Sequence, residues 1–282
     1  MKKLLLALFV MCSALSFSAK VIKANNAEVR ENNIVYEAGQ NAPYTGFIET
    51  YNEKNVLLAK TEFKNGIQDG SSKIYFPNGK LYSEATFQNG KQVGVQKDYY
   101  ENGKVKIETT YKNGQKTGPA KIYDENGRLD TEVNLVNGKA EGLVKSYYPN
   151  GKIRTEENYK NDLREGLQKE YYENGNLVAE GNYRNGMLEG LSRIYYESGK
   201  LKAESSYKND ALDGLCKMYY ESGQVKAEYY YRDGSLEKTI SSPKDNADVK
   251  VVDDKEFFDV DYEDGQLNLK LDLNLSLIHI WR

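Results

Sequence analysis

GLQKEYYENGNLVAEGNYRNGMLE, residues 166–189, is one cycle of a pattern that runs through most of the chain. Its opening glycine returns every 24 residues, at Gly46, Gly70, Gly94, Gly118, Gly142, Gly166, Gly190 and Gly214. Five residues after each stands a tyrosine: Tyr51, Tyr75, Tyr99, Tyr123, Tyr147, Tyr171, Tyr195 and Tyr219. A period of this length held through eight copies marks a stacked array of one small module. Positions within a unit are counted from the period glycine, which is position 0.

Each unit reads as two strands and two turns, because short runs rich in Tyr and branched residues are bounded by Asn-Gly or Ser-Gly. The first turn ends on Gly79, Gly103, Gly127, Gly151, Gly175, Gly199 and Gly223, which supply the left-handed residue of a three-residue hairpin loop. The second carries Asn-Gly at 65–66, 89–90, 113–114, 137–138 and 185–186, with Asp162 and Asp210 replacing the glycine in two copies. This loop pairs position 6 with position 10 and position 5 with position 11. Strict alternation from there sends the apolar residues of positions 1, 5, 11 and 17 to one face as a core. Position 1 holds Leu143, Leu167, Leu191 and Leu215. A lysine or arginine at position 3 shares that parity. The opposite face is expected to carry the glutamates of position 14, among them Glu156, Glu180 and Glu204. Beside them it would carry the second tyrosines at position 6: Tyr100, Tyr148, Tyr172, Tyr196 and Tyr220.

The expected fold is all-β: an elongated meander or open solenoid of eight 24-residue, two-stranded repeats over residues 46–238. Sixteen strands at ~4.8 Å would extend roughly 75 Å. Residues 20–45 read as an N-terminal cap or partial repeat. Residues 239–274 read as a linker and acidic closing strands, with Leu267, Leu269, Leu271 and Leu273 alternating with polar residues.

Composition limits the function. Of 282 residues 29% are charged, and mean hydropathy is −0.75, so only the columnar arrangement of apolar groups allows burial. Lys2 and Lys3 precede the apolar run Leu4–Met11, and small residues follow to Ala19, the three parts of a secretory signal peptide over residues 1–19. That run is too short to span a bilayer, which takes ~20 residues, so no integral span is expected after cleavage. Removing residues 1–18 leaves 37 basic against 42 acidic groups, a balance with no pull toward nucleic acid. Cys216 is then the one cysteine, standing where other units carry Gln168 and Ser192. The last eight residues hold the only His and Trp of the chain. The string Leu-Ser-Leu-Ile-His-Ile within them is what a common sequencing adapter encodes in one frame, so residues 275–282 read as an artefact.

Catalysis needs convergent groups of different kinds. The only histidine lies in the doubtful tail, the cysteine is alone, and the glycines sit in turns. The glutamates of position 14 recur two strands apart, ~10 Å, wider than the ~5 Å to ~9.5 Å of glycosidase carboxylate pairs. Asp259–Gly265 resembles a calcium loop, but its glycine is one place late and its twelfth position is Lys270, so it reads as a solvated acidic turn. No enzyme activity, cofactor or metal is expected.

The unit Gly-x4-Tyr-Tyr-x-Asn-Gly-x-Leu-x2-Glu-x2-Tyr-x-Asn-Gly-x3-Gly, cleanest over Gly166–Gly190, resembles the variant MORN repeat of bacteria. Proteins of this type are grouped as the YwqK-like antitoxin family, and that resemblance implies neutralising a partner toxin by direct binding. The expected function is an exported, non-enzymatic scaffold of the periplasm, cell surface or exterior that binds an unidentified protein partner. The partner contacts are placed on the position-6 tyrosines and the glutamates Glu156, Glu180 and Glu204. The alternative is a cell-wall or glycan-binding module in which aromatic rows stack on sugars, against which the absence of Trp from the repeats counts.

Overall fold

The computed structural model describes residues 19–241, which divide into two compact units. One comprises residues 19–153 and 159–162, the other 154–158 and 163–241. The expected signal segment, linker, closing strands, acidic turn and C-terminal tail lie outside the described residues, except that 19 and 239–241 are described.

Between Gly46 and Val136 each strand of the first unit pairs antiparallel with the next along the chain. Gly46–Tyr51 pairs with Leu57–Lys64, that with Ile67–Tyr75, and that with Leu81–Gln88. Lys91–Tyr99, Val105–Lys112, Gln115–Tyr123 and Leu129–Val136 continue the series. The leading edge is closed by Val21–Lys23, which runs parallel to Gly46–Tyr51. Tyr44 ties this cap down: it is buried, and its hydroxyl donates to the carbonyls of Lys20 and Phe47. A covered edge removes a template for aggregation.

The second unit repeats the meander. Gly166–Tyr171 pairs with Leu177–Arg184, and that with Gly190–Tyr195. Leu201–Lys208, Ala211–Tyr219, Val225–Arg232 and Ser235–Ser241 follow in order.

Both turns take the geometry that their residues dictate. In the first, Phe76 N donates to Lys80 O and Gly79 N to Phe76 O, and Gly79 sits at φ 82°. Asn78 Oδ1 accepts from the Lys80 amide, which holds the loop shut. The second is a two-residue turn with both residues left-handed, as Asn89 at 49° and Gly90 at 76° show. Asp162 at 69° and Asp210 at 67° adopt the same conformation. Their carboxylates compensate, since Asp162 Oδ1 accepts from Ala140 N and Asp210 Oδ1 from Leu188 N, both at 2.6 Å. Successive second turns are tied to one another: Gly90 N donates to Gln68 O and Gly114 N to Gln92 O, each at 2.8 Å.

The period glycine has its own reason. All eight lie at positive φ, from 73° at Gly94 to 142° at Gly46. Gly70 stands where the pairing slips, for Thr61 faces Ser72 whereas Phe63 faces Gln68. A residue with a Cβ is strained there.

A second bulge corrects the expected faces. Position 5 does pair with position 11, as in Tyr75 with Leu81, but Ile74 then faces Ser83, leaving Tyr82 as an extra residue. The same slip recurs at Tyr99, Tyr123, Tyr171, Tyr195 and Tyr219. One inserted residue reverses every side chain beyond it. Position 14 therefore joins the face of positions 1, 3 and 5, and position 17 leaves it. The buried side is the one that carries positions 2, 4, 13 and 15. Most of its buried members are small: Ala120, Thr131, Val144, Ser146 in the first unit, and Thr155, Ala203, Ser205, Cys216 in the second, beside the larger Leu135, Glu157 and Tyr231. Polar members bond to one another, as Ser83 Oγ does to Asp98 Oδ1 at 2.6 Å. Space is tight there, since a Cβ on Gly181 would lie 2.7 Å from Leu188 Cδ1.

Candidate interaction surface

The outer face is a ladder of repeated rungs. Position 3 stands across from position 14, so lysine meets glutamate directly: Lys73 and Glu84, Lys97 and Glu108, Lys217 and Glu228. Their ion pairs span 3.9, 3.4 and 3.0 Å. In the first repeat the charges are exchanged, with Glu49 at position 3 and Lys60 at position 14, 2.9 Å apart. Exposed pairs of this kind contribute little each, because water screens them.

The tyrosine of position 5 completes each rung by reaching back to the preceding unit. Tyr99 donates to Glu84, Tyr123 to Glu108 and Tyr147 to Glu132, at 2.6, 3.0 and 2.5 Å. In the second unit Tyr171 donates to Glu156, Tyr195 to Glu180 and Tyr219 to Glu204, at 2.8–2.9 Å. Tyr51 serves Glu49 of its own strand at 2.6 Å. Burial, then the carboxylate acceptor, pushes Tyr99, Tyr171 and Tyr195 up to about 12. These hydroxyls stay protonated as donors, and the position-5 tyrosines, expected in the core, lie half-buried on the outer face instead. Tyr75 lies half-buried at the same position.

The glutamates assigned to partner contact are thus fixed on the outer face rather than the opposite one. Glu180 accepts from Arg193 at 3.5 Å as well as from Tyr195. Glu204 faces the same guanidinium at 3.7 Å. Glu156 accepts from Tyr171.

The second tyrosines lie at the hairpin ends, and three of them join one repeat to the next. Tyr100 OH donates to Tyr123 O, Tyr172 OH to Tyr195 O and Tyr196 OH to Tyr219 O, at 2.8, 3.0 and 2.7 Å. Lysine ammonium groups lie over the rings of Tyr100, Tyr196 and Tyr220, at 5.5–6.0 Å from the centroids. Tyr148 begins its own loop, its amide donating to Lys152 O, and Tyr220 is 41% exposed.

The leucines of position 1, expected in the core, are instead exposed on the outer face, because positions 1 and 5 share it and the buried side is the other one. In the second unit Leu167, Leu191 and Leu215 recur one repeat apart, and Leu163 and Met187 of position 21 accompany them, all 36–50% exposed. Cys216, one residue from Leu215, has no exposed surface, and burial pushes its thiol up, so it is inert. Among the described residues no helix is long and apolar enough to cross a membrane.

Hairpin after hairpin on one period, with identical rungs, defines a tandem β-hairpin repeat protein. The model of the MORN repeat variant matches residues 68–89, 92–113, 116–137, 140–161, 164–185, 188–209 and 212–233, together more than half the chain. The chain belongs to that family. The unit opening at Gly46 folds like the others although the family matches begin at residue 68; it has the exchanged charges and Asn55 in place of the turn glycine. No curated protein matches the chain. Among solved structures, a porin-like protein from Bacteroides uniformis is 12% identical, over 76% of this chain and 92% of that one, with a TM-score of 0.18. A protein of unknown function from Bacteroides fragilis is 8% identical, over 71% and 94%, with a TM-score of 0.10. Scores this low establish no common fold.

Proposed function

We propose that this protein is an exported, non-enzymatic scaffold that binds a protein partner through the outer face of its second unit. One observation carries the reading: Leu167, Leu191 and Leu215 are exposed and in register on a face whose charged rungs are already bonded. An apolar row on a pre-ordered surface can be covered at little cost in ordering. Glu156, Glu180 and Glu204 flank the row and supply a polar border of the kind that interfaces use. The tyrosines of position 6 act in this reading as joints between units. Export rests on the lysines and apolar run at the N-terminus. Under the antitoxin resemblance, the partner would be a toxin held inactive by this docking.

A photo-crosslinking residue at position 191 tests it in cells. The reading requires one discrete protein adduct from that position, lost in Leu167→Ser/Leu215→Ser, and none from the buried position 203. Sedimentation with purified peptidoglycan and no adduct would count against it. The double change Tyr172→Ala/Tyr196→Ala should lower stability yet leave capture by the folded fraction intact.

A further inference from the structure

The column of rings at position 6 is interrupted once. It runs Phe76, Tyr100, Asp124, Tyr148, Tyr172, Tyr196 and Tyr220 from the second unit of the array onward. Asp124 turns back into its own loop: Oδ1 accepts from the amides of Asn126 and Arg128, and Oδ2 from Arg128 Nε at 2.7 Å. On the other side of Tyr100 an additional ring stands at position 12. Tyr82 meets Phe76 edge to face, with centroids 5.0 Å apart. Where one ring is missing and one is added, the first unit opens a groove of about 480 Å³. Four rings line it: Phe76, Tyr82, Tyr99 and Tyr100. Glu101, Glu125 and Lys106 add charges of both signs.

We propose that this groove binds a neutral saccharide, one pyranose ring lying against the aromatic side chains. The hydroxyls of Tyr99 and Tyr100 are spent on Glu84 and on the Tyr123 carbonyl, so these two side chains offer their rings. Aromatic faces suit the C–H face of a sugar ring, and a few polar groups around an apolar lining fix orientation. A sugar hydroxyl both donates and accepts, which matches two carboxylates and one ammonium. Lys106 Nζ already lies 5.5 Å from the Tyr100 ring centroid, so it fills the place of an incoming cation and leaves the pyranose the rings of Phe76, Tyr82 and Tyr99. An anion would meet Glu101 and Glu125. The volume falls within the ~300–1,000 Å³ of small-ligand sites. This site lies in the first unit and shares no residue with the leucine row, so either reading can fail without the other.

Saturation-transfer NMR on the full chain tests it, with N,N′-diacetylchitobiose, cellobiose and maltose as probes and a tri-lysine peptide as the cationic comparison. Expected is transfer to the pyranose C–H protons of at least one disaccharide, with affinity roughly tenfold weaker in Phe76→Ala and in Tyr82→Ala and unaltered in Lys208→Ala. Circular dichroism checks that each variant is folded, and Tyr82→Leu, which keeps apolar bulk without the ring, replaces any that is not. The proposal is overturned if no disaccharide shows transfer, if the ring variants bind as the parent does, or if only tri-lysine binds.

Discussion

A tyrosine hydroxyl placed on a neighbour's carboxylate is the smallest unit of this fold. Each such bond joins one repeat to the one before it, and neutral bonds of this type contribute about 1 kcal/mol, more when the acceptor is charged. The raised tyrosines carry a pH signature. In the unfolded chain a tyrosine loses its proton near its ordinary value of ~10, whereas Tyr99, Tyr171 and Tyr195 hold theirs to about 12. The native state then binds more protons than the unfolded one between those limits. The contribution is complete below pH ~10 and is lost as pH rises toward ~12. Thermal melts should be insensitive to these groups at neutral pH and fall through that window. Glu180→Gln should bring the Tyr195 titration, followed by near-ultraviolet absorbance, back toward the ordinary value. The period glycine gives a backbone test. Gly190 lies at φ 78° with nothing within 4 Å of its added Cβ, so Gly190→Ala isolates the dihedral cost, about 1–2 kcal/mol in a denaturant melt. Gly70→Ala should cost more, because the Cβ would lie 2.1 Å from Glu62 Oε2, which accepts from the Ser71 amide.

At the scale of the hairpin, turn chemistry was legible and the face beyond the turn was not. The Asn-Gly pairs and loop glycines predict the observed turns, and the pairing of position 5 with position 11 is observed. The slip beyond position 11 has no residue of special conformation to announce it, for Tyr82, Lys106 and Lys202 all occupy the extra place. One signal does lie in the chain. Position 3 is basic and position 14 acidic in later units, but the first unit has Glu49 and Lys60. An exchange of charge between two columns implies that they touch, and they touch only if one residue is bulged. The residues expected to contact a partner divide on this point: the glutamates stand on the face of the leucines, while Tyr100, Tyr172 and Tyr196 bond one hairpin end to the next. The Asn-Asp turns supply an element-scale prediction. Asp210→Gly trades the carboxylate's bond to Leu188 N for a relaxed backbone and should be near neutral. Asp210→Ala loses the bond and keeps the strain, at about 1–2 kcal/mol by the same melt.

Over the whole molecule, stability is a sum of units and of the contacts between neighbours. Excising one complete period, residues 190–213, keeps the position of every later residue in its rung. That variant should fold with unchanged ellipticity per residue and a lower melting temperature. Excising half a period reverses hairpin direction beyond the cut and should abolish the cooperative melt. The central claim concerns sides: the leucines of position 1 outward, positions 2 and 4 inward. Adjacent residues decide it, since Leu215 is 36% exposed and Cys216 not at all. In the full chain carrying Cys12→Ser, native Cys216 should resist maleimide until denaturant is added. With Leu215→Cys and Cys216→Ser as well, the new thiol should label at once under native conditions. Rapid native labelling of Cys216 together with protection at position 215 would contradict the account.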